Sequence, residues 1–102
     1  MTTLHTLSVN HHNIHQLQDF VDLMNKGDEL LLLANGVYAL LIAENTSMPL
    51  QQLCETGTLY VLKNDLFARG VPVIDTPPQA TLISYEGFVD LVIKHQNTYN
   101  WV

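Results

Sequence analysis

At 102 residues, with 47% hydrophobic and 14% charged content, the chain has the length of one domain and enough apolar side chains to fill its core. Four Lys and Arg against ten Asp and Glu give a net charge of −6. Lys26, Lys63, Arg69 and Lys94 stand singly along the chain, so no basic patch suited to a phosphate backbone forms, and direct binding of nucleic acid, RNA included, by this chain is not expected.

The single cysteine, Cys54, cannot form an internal disulfide, and a lone thiol fits a reducing compartment, so cytoplasm is the expected location. No basic region followed by a long apolar stretch opens the sequence, and no targeting segment is expected. The longest apolar stretch, Leu30 to Ala43, is interrupted by Asn35-Gly36 and falls short of the roughly 20 residues that span a bilayer. A domain of this size is near the lower end of self-sufficiency, so part of its apolar surface is expected to meet a partner.

Strand-like and helical patterns alternate along the chain, which predicts an α/β domain with a small, largely parallel sheet. Thr3 to Val9 reads as the first strand. From Ile14 to Met24, residues Ile14, Leu17, Phe20, Val21 and Met24 share one side of a helix, with Leu23 beyond its edge. Gly27 supplies the left-handed residue that ends this segment. Glu29 to Leu33 is apolar after its first residue, as a strand covered on both faces should be.

Asn35-Gly36 is a hairpin signal that would make Val37 to Ala43 an antiparallel strand. The same stretch is rich in Ala and Leu and poor in β-branched residues, which favours a buried helix, the reading preferred here. Pro49 opens a short helix to about Cys54, and Thr58 to Leu62 is a further strand. Asn64 is placed to cap a short helix over Asp65 to Ala68 that stops at Gly70. Val71 to Gln79, with three prolines, is an irregular connection.

Thr81 to Ser84 is the last short strand. Ser84 caps a final helix, Tyr85 to about His95, with Glu86 in its first turn. The apolar residues of that helix sweep about 200° of the wheel, against the roughly 100° that one sheet face buries. Leu91 and Ile93 lie at opposite margins of the arc. Both are the candidates to face outward toward another subunit, and Tyr99 and Trp101 in the tail that follows either fold back on their own domain or join that interface.

Taken in order, these pieces resemble the DsrH/TusB family. They are Leu4-His5-Thr6-Leu7; Gly27-Asp28-Glu29 with the following leucines and Gly36-Val37; Tyr60-Val61-Leu62; Asp65 with Ala68-Arg69-Gly70; and Tyr85, Phe88-Val89, Lys94-His95 and Trp101. The resemblance spans nearly the whole chain as a single domain, 1–102. It implies a three-layer α/β/α sandwich of the DsrEFH-like type, joined with C-type and D-type DsrE/DsrF-like subunits into a dimer of heterotrimers. In such complexes persulfide sulfur passes between cysteines on its way to the wobble uridine of tRNA, or serves sulfur oxidation. The principal acceptor cysteine lies on the D-type chain. Some relatives carry a cysteine on the first helix, where this chain has Phe20, so a structural role is implied.

Candidate chemistry is sparse. Cys54 is the nucleophile a small thiol sulfurtransferase would use, but it sits near the C-terminal end of its expected helix beside Glu55, and both features disfavour a thiolate. His11, His12 and His15 have spacings that could ligate zinc or nickel, without an identifiable fourth ligand. A solvated loop is the simpler reading. No GxGxxG or GxxxxGK pattern is present, and no cofactor is expected. The leading expectation is a non-catalytic subunit of a sulfur-relay complex. The alternatives are the Cys54 enzyme and a stand-alone homo-oligomeric binding module.

Overall fold

The computed structural model describes residues 2–9, 14–40, 53, 58–71 and 80–101, with the backbone only for residues 14–17. Its elements are β1 (Thr3–Leu7), α1 (Ile14–Asp22), β2 (Glu29–Leu32), a 3-10 helix (Ala34–Tyr38), β3 (Leu59–Leu62), α2 (Lys63–Ala68), β4 (Thr81–Ile83), α3 (Tyr85–Lys94) and β5 (Asn97–Trp101). The five strands form one sheet in the order β4-β3-β2-β1-β5. Every pairing between them is parallel. No helix among the described residues is long and apolar enough to cross a membrane.

β1 to β4 advance in one direction across the sheet, and β5 then returns to the far side of β1. A parallel crossover is right-handed, so reversing the direction of travel moves the connecting helix to the opposite face. One face accordingly carries Val21 of α1, Val37 of the 3-10 helix and Leu66 of α2 over Leu7, Leu30, Leu32, Leu59, Val61 and Trp101. The other face carries Phe88 and Leu91 of α3 over Leu4, Leu31 and Leu62. The result is three layers, α/β/α. β2 is buried at all four positions, which explains why it reads as an unbroken apolar run.

Some expectations hold and others change. Val37 lies in the 3-10 helix, and Ala39 and Leu40 continue helically, so over the described residues the preferred helical reading stands and the Asn35-Gly36 hairpin does not form. Gly36 permits this: a Cβ there would overlap the Leu7 carbonyl oxygen. Gly27 is left-handed as expected, at φ +91°, although α1 ends earlier, at Asp22. α2 begins at Lys63, so Asn64 lies inside the helix and no side chain caps it. The tail is a strand, β5, whose Asn97 to Trp101 pair with Thr3 to Leu7. Of the expected Pro49 to Cys54 helix only Leu53 is among the described residues. The Val71 to Gln79 connection lies outside them after Val71.

The close approach at Gly36 generates a direct expectation. Gly36→Ala should destabilise the domain by more than about 3 kcal/mol, because relief requires shifting β1 backbone rather than a flexible side chain. A chemical denaturation midpoint close to that of the parent would contradict this contact.

Candidate functional site

At the N-terminal edge of the sheet two neighbouring carboxylates draw remote parts of the chain together. Asp28, just before β2, accepts hydrogen bonds from the Thr3 N–H at 2.9 Å, the Asn25 N–H at 2.9 Å and His5 Nε2 at 3.0 Å. Trp101 Nε1, which can only donate, points at His5 Nδ1 at 2.9 Å. That donor requires a lone pair on Nδ1 and therefore places the His5 proton on Nε2, facing Asp28. Burial by itself would push the Asp28 carboxyl up, but the two backbone N–H groups and His5 outweigh it and hold the carboxyl below its ordinary value. Trp101 also stacks on Phe20, with centroids 5.0 Å apart and planes 12° from parallel.

On the opposite face, Glu29 Oε1 accepts from His95 Nε2 at 2.7 Å and Lys94 Nζ at 2.9 Å, and Oε2 accepts from the Tyr60 hydroxyl at 2.8 Å. His95 Nδ1 meets the Thr2 hydroxyl at 2.8 Å. Burial raises the Glu29 carboxyl, yet the Lys94, His95 and Tyr60 hydrogen bonds outweigh it and bring it below its ordinary value. Tyr60 is pushed up to about 12 by burial, by its hydrogen bond to Glu29 and by the Glu29 charge. Both ring nitrogens of His5 and of His95 are thus engaged within the fold. Neither imidazole has a free nitrogen for a substrate proton or a metal.

The C-terminal edge carries a third arrangement. Ala34 takes the left-handed conformation, φ +49°, which costs a side-chain-bearing residue about 1 kcal/mol. Its N–H donates to Asp65 Oδ2 at 2.7 Å. Arg69 Nε donates to Asn35 Oδ1 at 2.9 Å, and Arg69 approaches Asp65 at 3.5 Å. α2 therefore braces the turn that leads out of β2. A cavity of about 460 Å³ opens between the end of α1 and β3, lined in part by Met24, Lys26 and Asp28. The Asp28 carboxylate already has its three donors.

The expected interface residues separate. Leu91 is only 6% exposed and packs against Leu4, Leu31 and Leu62, so it belongs to the chain's own core. Trp101, fully buried, does as well. The causes differ: Leu91 is corrected because one margin of the 200° arc faces the sheet, and Trp101 takes the own-domain alternative because the tail is a strand paired with β1. Ile93, at 76%, and Tyr99, at 47%, are exposed. With Ile93 stand Tyr85, Val89 and Val92, also exposed, whose spacing of four, seven and eight residues from Tyr85 puts all four on one flank of α3.

Cys54, His11 and His12 lie outside the described residues, as does the side chain of His15. Among the described residues no group of three or more His, Cys, Asp or Glu side chains could hold a metal ion. Sequence reasoning missed the paired roles of Asp28 and Glu29. The signal for them was two adjacent acids opening an otherwise apolar strand.

Comparison with known proteins places the geometry in context. The family model described as DsrH like protein matches residues 11–98. The chain is 39% identical over 95 residues to Protein TusB of Yersinia pestis (strain Pestoides F), covering 92% of this chain and 97% of the relative. It matches Protein TusB of Yersinia pseudotuberculosis serotype O:1b to the same extent. The solution NMR structure of protein Tm0979 from Thermotoga maritima superposes with a TM-score of 0.59 at 26% identity, over 92% of this chain and 93% of that one.

The two carboxylates generate a pH prediction. Their folded-state pKa values lie below the ordinary 3.8 and 4.5, so the native state holds fewer protons than the unfolded chain as both begin to titrate. The stability they contribute is complete above those ordinary values and is lost as pH falls through the depressed ones. The contribution of these two carboxylates to the denaturation midpoint should be constant above about pH 5 and should fall away below about pH 4.5. Asp28→Asn should cost about 2 kcal/mol at neutral pH, because its new NH2 must face a donor, and should make the acid drop shallower. An Asp28→Asn variant with parental stability and an unchanged acid limb would contradict this account.

Proposed function

The chain belongs to the DsrH family, and from that premise we propose that it is a non-catalytic structural subunit of a cytoplasmic sulfur-relay complex for 2-thiolation of the tRNA wobble uridine. Family membership and the likeness to TusB proteins over most of the chain support a sulfur-relay role in tRNA thiolation in general. The observation that carries the structural-subunit reading is the exposed α3 flank of Tyr85, Val89, Val92 and Ile93, apolar surface that the chain's own sheet does not cover. The inward engagement of His5, His95, Asp28 and Glu29 supports it further, since the polar residues that carry the family resemblance hold the fold together. On this reading residues 1–102 form one domain. C-type and D-type DsrE/DsrF-like subunits cover the α3 flank, and sulfur is carried on their cysteines.

The test is co-assembly. Ile93→Glu and Val89→Glu, made separately, should weaken assembly with C-type and D-type partners by about tenfold or more while the isolated chain melts as the parent does. Leu91→Glu should instead collapse the isolated fold. Normal assembly by both flank variants would defeat the interface reading. Cys54→Ser should leave sulfur transfer by the assembled complex nearly intact. A stable persulfide on Cys54, seen by mass spectrometry, would favour the sulfurtransferase alternative.

A further inference from the structure

The two edges of the sheet are unlike. β4 has three residues and runs at once into α3, so it offers little to a passing strand. β5 has five residues in unbroken register with β1, and Asn97 to Asn100 are all exposed. It contains no proline, no charged side chain and no bulge, the devices by which sheet edges are normally blunted.

The hydrogen-bond pattern identifies which backbone groups of β5 face outward. The Leu33 N–H donates to the Leu7 carbonyl, so Leu7 and, by alternation, His5 and Thr3 direct their backbone groups toward β2. The Thr3 N–H, bonded to Asp28 before β2, agrees. Leu4 and Thr6 then face β5. In a parallel pair a residue bonds to the neighbours of its register partner. Leu4 is in register with Thr98 and Thr6 with Asn100, so Asn97, Tyr99 and Trp101 turn their backbone groups to β1. Thr98 and Asn100 turn theirs to solvent.

These two outward residues are symmetric about Tyr99. We propose that β5 pairs antiparallel with β5 of a second copy of this chain, with the two-fold axis at Tyr99, so that one sheet runs through both copies. Thr98 then lies opposite Asn100 of the second copy in both directions, closing roughly four inter-strand hydrogen bonds. Tyr99 meets its own counterpart in the narrow, non-hydrogen-bonded position, about 4.5 Å between Cα atoms. There two half-exposed rings pack across the axis.

Other registers do less. A two-fold axis at Thr98 would call on Gln96, whose N–H already donates to the Thr2 carbonyl. The absence of charge on β5 favours a second copy as the occupant: two chains of net charge −6 meet there without like charges at the contact. This surface is separate from the α3 flank, and the pairing does not rest on the sulfur-relay reading.

The experiment uses the full chain. Sedimentation equilibrium should show a dimer for the parent, and Thr98→Pro, which removes an outward N–H and no bond to β1, should raise the dimer dissociation constant at least about tenfold with an unchanged melt. In a Cys54→Ser background, Tyr99→Cys should oxidise to a covalent dimer, whereas Asn97→Cys, which faces Trp101 across the axis, should not. If Thr98→Pro lowers the melt, the two cysteine variants decide.

A parent that stays monomeric, cross-linking at position 97 equal to that at 99, or Tyr99→Cys linking only to a partner subunit would overturn the proposal. Ile93→Glu should keep the dimer while losing C-type and D-type partners. Partner assembly with a monomeric parent would therefore sink the pairing alone, and a dimer without partner assembly would sink the relay reading alone.

Discussion

The rest of the structure depends on holding β5 in parallel beside β1, although the paired residues stand at opposite ends of the sequence. Backbone pairing of such remote segments carries a large loop-closure cost in chain entropy. Specific bonds accompany it. Trp101 donates to His5 across a separation of 96 residues, and Thr6 donates to Asn100 across 94. Asp28 orients His5 from one side of the sheet, while Glu29 receives His95 and Lys94 from the other. Two adjacent acids at the head of β2 therefore anchor both the first strand and the approach to the last.

This closure has geometric consequences. Because β5 lies beyond β1, the crossover that leads to it reverses direction and carries α3 to the face opposite α1 and α2. α3 is the one described helix on that face. It buries Phe88 and Leu91 against the sheet and leaves Tyr85, Val89, Val92 and Ile93 in solvent. The same closure makes β5 an edge. The exposed α3 flank and the open β5 edge thus both follow from the strand order.

The electrostatic arrangement is one of fixation. Both carboxylates are buried, which disfavours their charge, and each receives three donors, which restores it. Such groups stabilise one registry of the chain when fully satisfied and destabilise it when a partner is lost. In parallel α/β sheets ligands commonly sit at the C-terminal strand edge, and here the saturated acids occupy the N-terminal one. At the C-terminal edge, Asp65 is committed to the Ala34 N–H and to Arg69.

The sequence alone determined the layered α/β class, the buried central strand, the helical reading after Asn35-Gly36 and the excess of apolar surface on α3. Each of these is a local pattern: periodicity, composition or turn chemistry within a few residues. It did not reveal that Asn97 to Trp101 is a strand: Tyr99 and Trp101 do alternate with Thr98 and Asn100, but five residues with two Asn are a weak local signal, and the segment becomes extended through its pairing with β1. Nor could a helical wheel tell Leu91 from Ile93, since an arc has two margins and only the position of the sheet says which is inside. The partners of Asp28 and Glu29 come from residues far away in sequence, and tertiary structure alone decided them, because a hydrogen bond is set by distance and direction in space.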